Sequence, residues 1–242
     1  MRRILTRARR IPLLSTALVG AGLGVLVAAL PPVQTEAAPA RRTAPTLSTK
    51  TLVIQPLGRR LSKRDVAEVV KALKTFYGYR VRVLKRRNLP RSAYYRPRRR
   101  YRAEKLLTYL GRVAPKTAHR VLGLTAVDIS TTKGSVYDWG IMGLADLSGR
   151  RCIISRHRCA RGSRSRTHAR HRLAKTAVHE IGHTLGLDHC PNRGCLLESG
   201  KGSNKTTDRE YVLCSRCIAK LRRKGIVLPP NPKPPWPKPK TR

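Results

Sequence analysis

Acidic residues are scarce in this chain of 242: 12 Asp and Glu stand against 53 Lys and Arg, a formal net charge of +41 at pH 7. That imbalance excludes an evenly mixed surface and makes the exterior attractive to anions, whether nucleic acid, anionic lipid or an acidic polymer. Arginine is abundant everywhere, leader and helices included, so much of this attraction is expected to be non-specific. No internal repeat is present, which excludes a solenoid or propeller. Methionine is limited to Met1 and Met142, and the one long apolar run lies at 11–30.

That run follows five arginines in residues 1–10 and precedes Ala38-Pro39-Ala40, a small-residue cleavage site. The pattern is that of a secretory signal peptide over 1–40, to be excluded from the fold. Left uncleaved, the run approaches the ~20 apolar residues that span a membrane and would act as an anchor. The pair Arg9-Arg10 also matches a twin-arginine signal, so the general secretory and twin-arginine routes both remain open. The protein is therefore expected to be exported, periplasmic or secreted. Loss of the five arginines and one glutamate in 1–40 would leave a charge of +37. Residues 41–50 form a Pro/Thr/Ser linker, 51–227 the folded domain, and 228–242 a Pro/Lys-rich tail expected to be extended and disordered. Trp236 is expected to be exposed in that tail as a candidate docking motif.

Between 179 and 189 the chain carries His179-Glu180-Ile-Gly-His183-Thr-Leu-Gly186-Leu-Asp-His189, the spacing HExxHxxGxxH. Residues four apart on a helix share a face, so His179 and His183 can reach one Zn²⁺. Glu180 stands beside them, able to take a proton without being needed as a ligand. Gly186 permits the positive φ that turns the chain out of the helix and brings His189 round as third ligand. Three protein ligands leave a fourth position for water, the arrangement of a catalytic rather than a structural zinc.

Directly after His189 come Cys190, Cys195, and then Cys214-Ser-Arg-Cys217. With these cysteines the motif resembles the archaemetzincins, a metzincin family with a four-cysteine zinc site beside the catalytic one. The likeness extends to Val53-Ile54-Gln55-Pro56-Leu57-Gly58, to Leu89-Pro90-Arg91-Ser92-Ala93-Tyr94 and to 98–110, covering about 50–222. It implies an α+β fold: a metzincin-like twisted mixed β-sheet, an active-site helix, and a small zinc-bound C-terminal subdomain. It also implies two Zn²⁺ per chain, one catalytic on His179, His183 and His189 and one structural on Cys190, Cys195, Cys214 and Cys217. Two close cysteine pairs suit a tetrahedral Cys₄ site, although in an exported protein paired disulfides are the alternative. Cys152 and Cys159 lie outside the family motif and are expected to form a local disulfide, with free thiols as the alternative. The family has Met two residues after the second cysteine. Here Leu197 stands there, a nearly volume-conserving change that alters packing and not ligation. The stretch from Leu197 to Cys214 is also one residue shorter than the family's.

Local patterns place the elements. Residues 51–56 alternate and are β-branched, a strand. Ser62 caps a helix over 65–76 that carries Val66, Val69, Val70 and Leu73 on one face and stops at Gly78. A strand at 79–84, a basic Tyr-containing loop at 86–102 and a short helix at 103–111 follow. Further strands are expected at 122–129, 139–144 and 152–155, an order of βαβαβββ with one strand as the rim on which a peptide could lie. The basic stretch 156–172 is expected to be a loop in which His157, His168 and His171 are solvated. Thr167 is the candidate cap of the catalytic helix, whose apolar stripe is Ala174, Val178, Ile181 and Leu185.

The expected activity is zinc-dependent peptide hydrolysis on a peptide or protein substrate by a monomer, Glu180 assisting attack by zinc-bound water. No acidic anchor for a substrate amine stands out, so endo- and aminopeptidase action both stay open. The alternative is a catalytically weak zinc protein that binds anionic polymers or membrane surfaces through its basic exterior.

Overall fold

Six consecutive residues from Leu52 to Leu57 are buried, which requires a strand covered on both faces. In the computed structural model, which describes residues 50–201 and 203–239, this strand is β1 (Thr51–Leu57). It is followed by helix α1 (Lys63–Tyr77) and strands β2 (Arg80–Val83), β3 (Tyr94–Tyr95) and β4 (Arg100–Arg102). Next come helix α2 (Ala103–Val113) and strands β5 (Arg120–Thr125), β6 (Ile129–Lys133), β7 (Val136–Ile141), β8 (Gly143–Ala145) and β9 (Arg151–Ser155). Helices α3 (Arg156–Ala160), α4 (Arg166–Thr184), α5 (Asn204–Arg209) and α6 (Ser215–Arg223) complete the order. The leader 1–40 and nearly all of the linker lie outside the described residues. Among those described, no helix is long and apolar enough to cross a membrane.

The main sheet runs β2-β1-β5-β9-β8. Its first four strands are mutually parallel, and β8 pairs antiparallel with β9, Gly143 opposite Ile154. Side-chain alternation splits β1 between two cores. Leu52 and Ile54 pack with α1 and α4 on one face, and Val53 and Leu57 with α2 on the other. A smaller sheet, β3-β4-β6-β7, stands beside it. This is the α+β architecture with a mixed sheet expected from the sequence.

The cap of α1 is a full capping box: Ser62 accepts from the Asp65 amide at 3.1 Å and Asp65 accepts from the Ser62 amide at 3.2 Å. Gly78 ends the helix at φ 63°. Several expectations need correction. The stretch 86–102 is not a plain loop, because β3 and β4 pair within it and β4 continues onto β6. The strand expected at 122–129 breaks after Thr125, and β6 joins the second sheet. The stretch 156–172 is mostly helical, forming α3 and the first turns of α4 with a short turn between them. Ser165 rather than Thr167 caps α4, its hydroxyl accepting from the His168 amide at 3.0 Å. His168 is not simply solvated: its Nε2 lies 2.6 Å from Asp208 Oδ1, and Arg172 grips the same carboxylate at 2.7 Å through both Nε and Nη2.

The largest correction concerns the tail. Trp236 is only 4% exposed. Its ring stacks on Phe76 with centroids 5.4 Å apart, and its indole N–H donates to the Tyr211 carbonyl at 3.1 Å. A Pro-rich segment has little conformational freedom to lose, so one aromatic anchor can hold it. Trp236→Ala is expected to cost about 3 kcal/mol of stability by analogy with other buried aromatic truncations, read as a lower denaturant midpoint at unchanged slope.

Candidate active site and cysteine centre

Helix α4 is buried along most of its length, with Ala174, Val178 and Ile181 fully enclosed and Leu185 nearly so. That stripe fixes the opposite face, which presents His179 and His183 one turn apart. The helix ends at Leu185, and Gly186 takes φ +83°, as its place before the third histidine requires. The structure brings the three imidazoles together: centroids are 4.6 Å apart for His179 and His183, 4.8 Å for His183 and His189, and 5.3 Å for His179 and His189.

Two rings are held by main-chain carbonyls. His179 Nδ1 is 2.7 Å from the Leu196 oxygen and His183 Nδ1 is 2.6 Å from the Leu187 oxygen. A carbonyl can only accept, so each Nδ1 carries the proton and each Nε2 keeps its lone pair. Those two Nε2 atoms lie 3.0 Å apart. Burial pushes His179 down to about 3, with the neighbouring His183 adding to the effect, and burial also lowers His183 and His189. Three neutral nitrogen donors whose ligand atoms all lie within 4.8 Å of one another fit a zinc ion.

Glu180 is 7% exposed beside this trio. Burial raises its carboxyl to about 8 on the protein alone, and a divalent cation beside it acts in the opposite direction. Its position depends on a residue the sequence reading passed over. Gly143, at the start of edge strand β8, approaches so closely that a Cβ there would lie 2.5 Å from Glu180 Oε1. A glycine inside a strand pattern was the available signal, since it commonly marks a close approach. Gly143→Ala is expected to displace the carboxylate and lower kcat on the order of 10²-fold while the protein still folds and binds zinc, checked by steady-state kinetics and metal analysis.

Leu197 is fully buried under α4. A Cβ on Gly182 would meet its Cδ2 at 3.1 Å, so the leucine forms a close-packed floor beneath the histidine-bearing turn. A cavity of about 810 Å³ opens beside the histidines. It runs between the β6–β7 hairpin, the end of α3 and residues 198–207, with His179, Glu180 and His189 in its wall.

The four C-terminal cysteines also converge. Cys190 and Cys214 sulfurs are 3.6 Å apart, and Cys195 and Cys217 sulfurs 3.7 Å. A tetrahedron with 2.3 Å metal–sulfur arms has edges of about 3.8 Å. All four are free thiols, so the disulfide alternative does not hold here. The amides of Leu197 and Cys214 lie 3.5 Å from the Cys195 sulfur, and the Asn192 side chain donates to Cys214 at 3.3 Å. A hydrogen bond from Cys217, joined by those amides, draws Cys195 down to about 5, suiting it to bind metal as a thiolate. Cys152 and Cys159 are corrected: both are free and buried, and not joined. Cys152 on β9 faces the Val121 carbonyl of β5 at 3.8 Å, whereas Cys159 turns back along α3 to the Ser155 carbonyl at 3.3 Å.

A mixed sheet whose edge strand flanks a buried HExxH helix, with a third histidine beyond a left-handed glycine, defines a zinc metallopeptidase. The model of peptidase family M54 matches residues 59–223. The archaemetzincin of Methanocaldococcus jannaschii is 30% identical over 185 residues, spanning 73% of this chain and 96% of that protein. Among solved structures, archaemetzincin from Methanopyrus kandleri superposes with a TM-score of 0.64 at 31% identity, covering 75% of this chain and 98% of that one. Archaemetzincin from Archaeoglobus fulgidus, solved with malonate, gives 0.60 at 31% identity, covering 70% and 99%. The chain belongs to peptidase family M54, the archaemetzincins.

Proposed function

We propose that this chain hydrolyses peptide bonds with His179, His183 and His189 holding a catalytic zinc and Glu180 moving the proton. Zinc in such a site supplies Lewis acidity, acidifying water and polarising the scissile carbonyl. Glu180 accepts the proton of the attacking water and hands it to the departing amine. The free edge of β8 offers backbone donors and acceptors along which an extended peptide can lie. Cys190, Cys195, Cys214 and Cys217 hold a second, structural zinc. The observation that carries the reading is the pairing of two locked Nε2 donors with a buried carboxylate pressed against that edge strand. The leader read over 1–40 supports export as the place where this activity is used.

The test is to load the purified protein with zinc, count metal per chain, and follow a mixed peptide library by mass spectrometry with and without chelator. Two zinc ions and chelator-sensitive cleavage are expected. Full zinc with no cleavage would favour the second reading, an anion-binding module, which the exposed Tyr137 and Trp139 and the high positive charge support. Retention on DNA or anionic vesicles that fades at moderate salt would mark only screened, non-specific contact.

A further inference from the structure

Only 12 carboxylate side chains are available in the whole chain, yet Glu180, Glu198 and Glu210 all line the cavity beside the histidines. Two have tasks. Glu180 belongs to the site described above. Glu198 is tied down by the guanidinium of Arg209 and by the Gly194 amide at 2.8 Å. Glu210 has none: it is 3% exposed, and among the described residues its carboxylate makes neither a hydrogen bond nor an ion pair. The Lys175 ammonium donates to the Thr207 carbonyl at 2.8 Å and acts on Glu210 by attraction at longer range, without a direct ion pair. A buried carboxylate without a partner is costly, and such groups are retained where a ligand completes them.

We propose that Glu210 is the specificity-determining residue of this cavity and selects peptides that place a Lys or Arg side chain in it, next to the bond cleaved. This rests on the peptidase reading given above. The apolar walls, Trp139, Ile141 and Met142, suit the methylene stem of such a side chain, and the carboxylate at the end receives its cation. Burial, more than any other cause, raises the Glu210 carboxyl well above the usual range, with the Lys175 ammonium opposing that rise, and a cation entering the cavity would oppose it further. Basic groups also border the cavity, but they do not select for anions with comparable strength. Arg158 is paired with Asp128 at 2.7 Å, while Lys133, Arg161 and Lys201 are exposed and screened by water and salt. A site built around a buried polar group rejects a ligand lacking its complement far more strongly than a surface charge attracts one.

The experiment uses zinc-loaded wild-type protein and a peptide series identical except at one position, which carries lysine, arginine, norleucine or glutamate. That position is walked along the sequence, and cleavage sites are read by mass spectrometry. Cleavage should fall at a constant offset from lysine or arginine, with kcat/KM about 100-fold above the norleucine peptide. Glu210→Gln should bring lysine and norleucine peptides to within a few-fold while norleucine cleavage persists; Glu210→Asp should retain part of the preference. Equal cleavage of lysine and norleucine peptides by wild type, or a preference for glutamate, overturns the assignment even if the Gln variant fails to fold. No cleavage of any peptide by zinc-loaded wild type brings down the peptidase reading itself, and this inference with it.

Discussion

Glu180→Gln should lower kcat by about 10²–10⁴-fold while leaving zinc content and KM nearly unchanged. The glutamine occupies the same volume against Gly143, where even a Cβ would meet the carboxylate at 2.5 Å, so geometry survives and only proton transfer is lost. Zinc content should hold because the proposed ligands are His179, His183 and His189, whose donor atoms converge without Glu180. Paired kinetics and metal analysis of wild type and variant decide the matter. Activity within tenfold of wild type would remove Glu180 from the proton path.

Cys217→Ser should have the second large effect, and the effect should reach the catalytic centre. Helix α6 buries only Cys217 and Leu221, so this helix has little apolar surface of its own with which to stay folded. Structural zinc sites contribute on the order of 10–16 kcal/mol of apparent binding free energy, far more than that small core. Loss of one thiolate should release one zinc per chain and open 190–223 to proteases. The main chain transmits the change: the Cys190 amide donates to the Leu197 carbonyl at 2.7 Å, and Leu196 holds His179 Nδ1 through its own carbonyl. Removal of such a support commonly costs 10–100-fold in metal affinity, so catalytic zinc should also bind that much more weakly, measured by competition with a chelator. A variant that keeps two zinc ions and resists proteolysis as wild type does would refute the coupling.

Much of the molecule was legible from short-range pattern. The cap at Ser62, the glycine stop at 78 and the apolar stripe of α4 are local features, and the structure keeps each of them. The failures occurred where distant chain decided the outcome. β3 and β4 are too short to show a period and exist because β6 supplies hydrogen-bonding partners. Basic character suggested a loop at 156–172, but Asp208 on α5 and Asp65 on α1 gather its cations against the helices. Trp236 looked solvated because no neighbour in sequence can cover it; Phe76, 160 residues earlier, does.

The identity of the metal-binding groups is a property of sequence, since His179 and His183 are bound to share a face once a helix forms and Gly186 is the residue that lets the chain turn towards His189. The cysteine spacing likewise announced a second cluster. What makes the first cluster a site is tertiary: Gly143 comes from a strand more than thirty residues away, and the carbonyls that orient two of the imidazoles come from loops beyond the helix. Glu210 shows the same division. In sequence it is one acid among many bases; the fold places it in the cavity wall and, among the described residues, gives its carboxylate no hydrogen bond. Local pattern specifies which atoms a chain carries and which turn they occupy, whereas burial and approach depend on segments that meet only when the core closes.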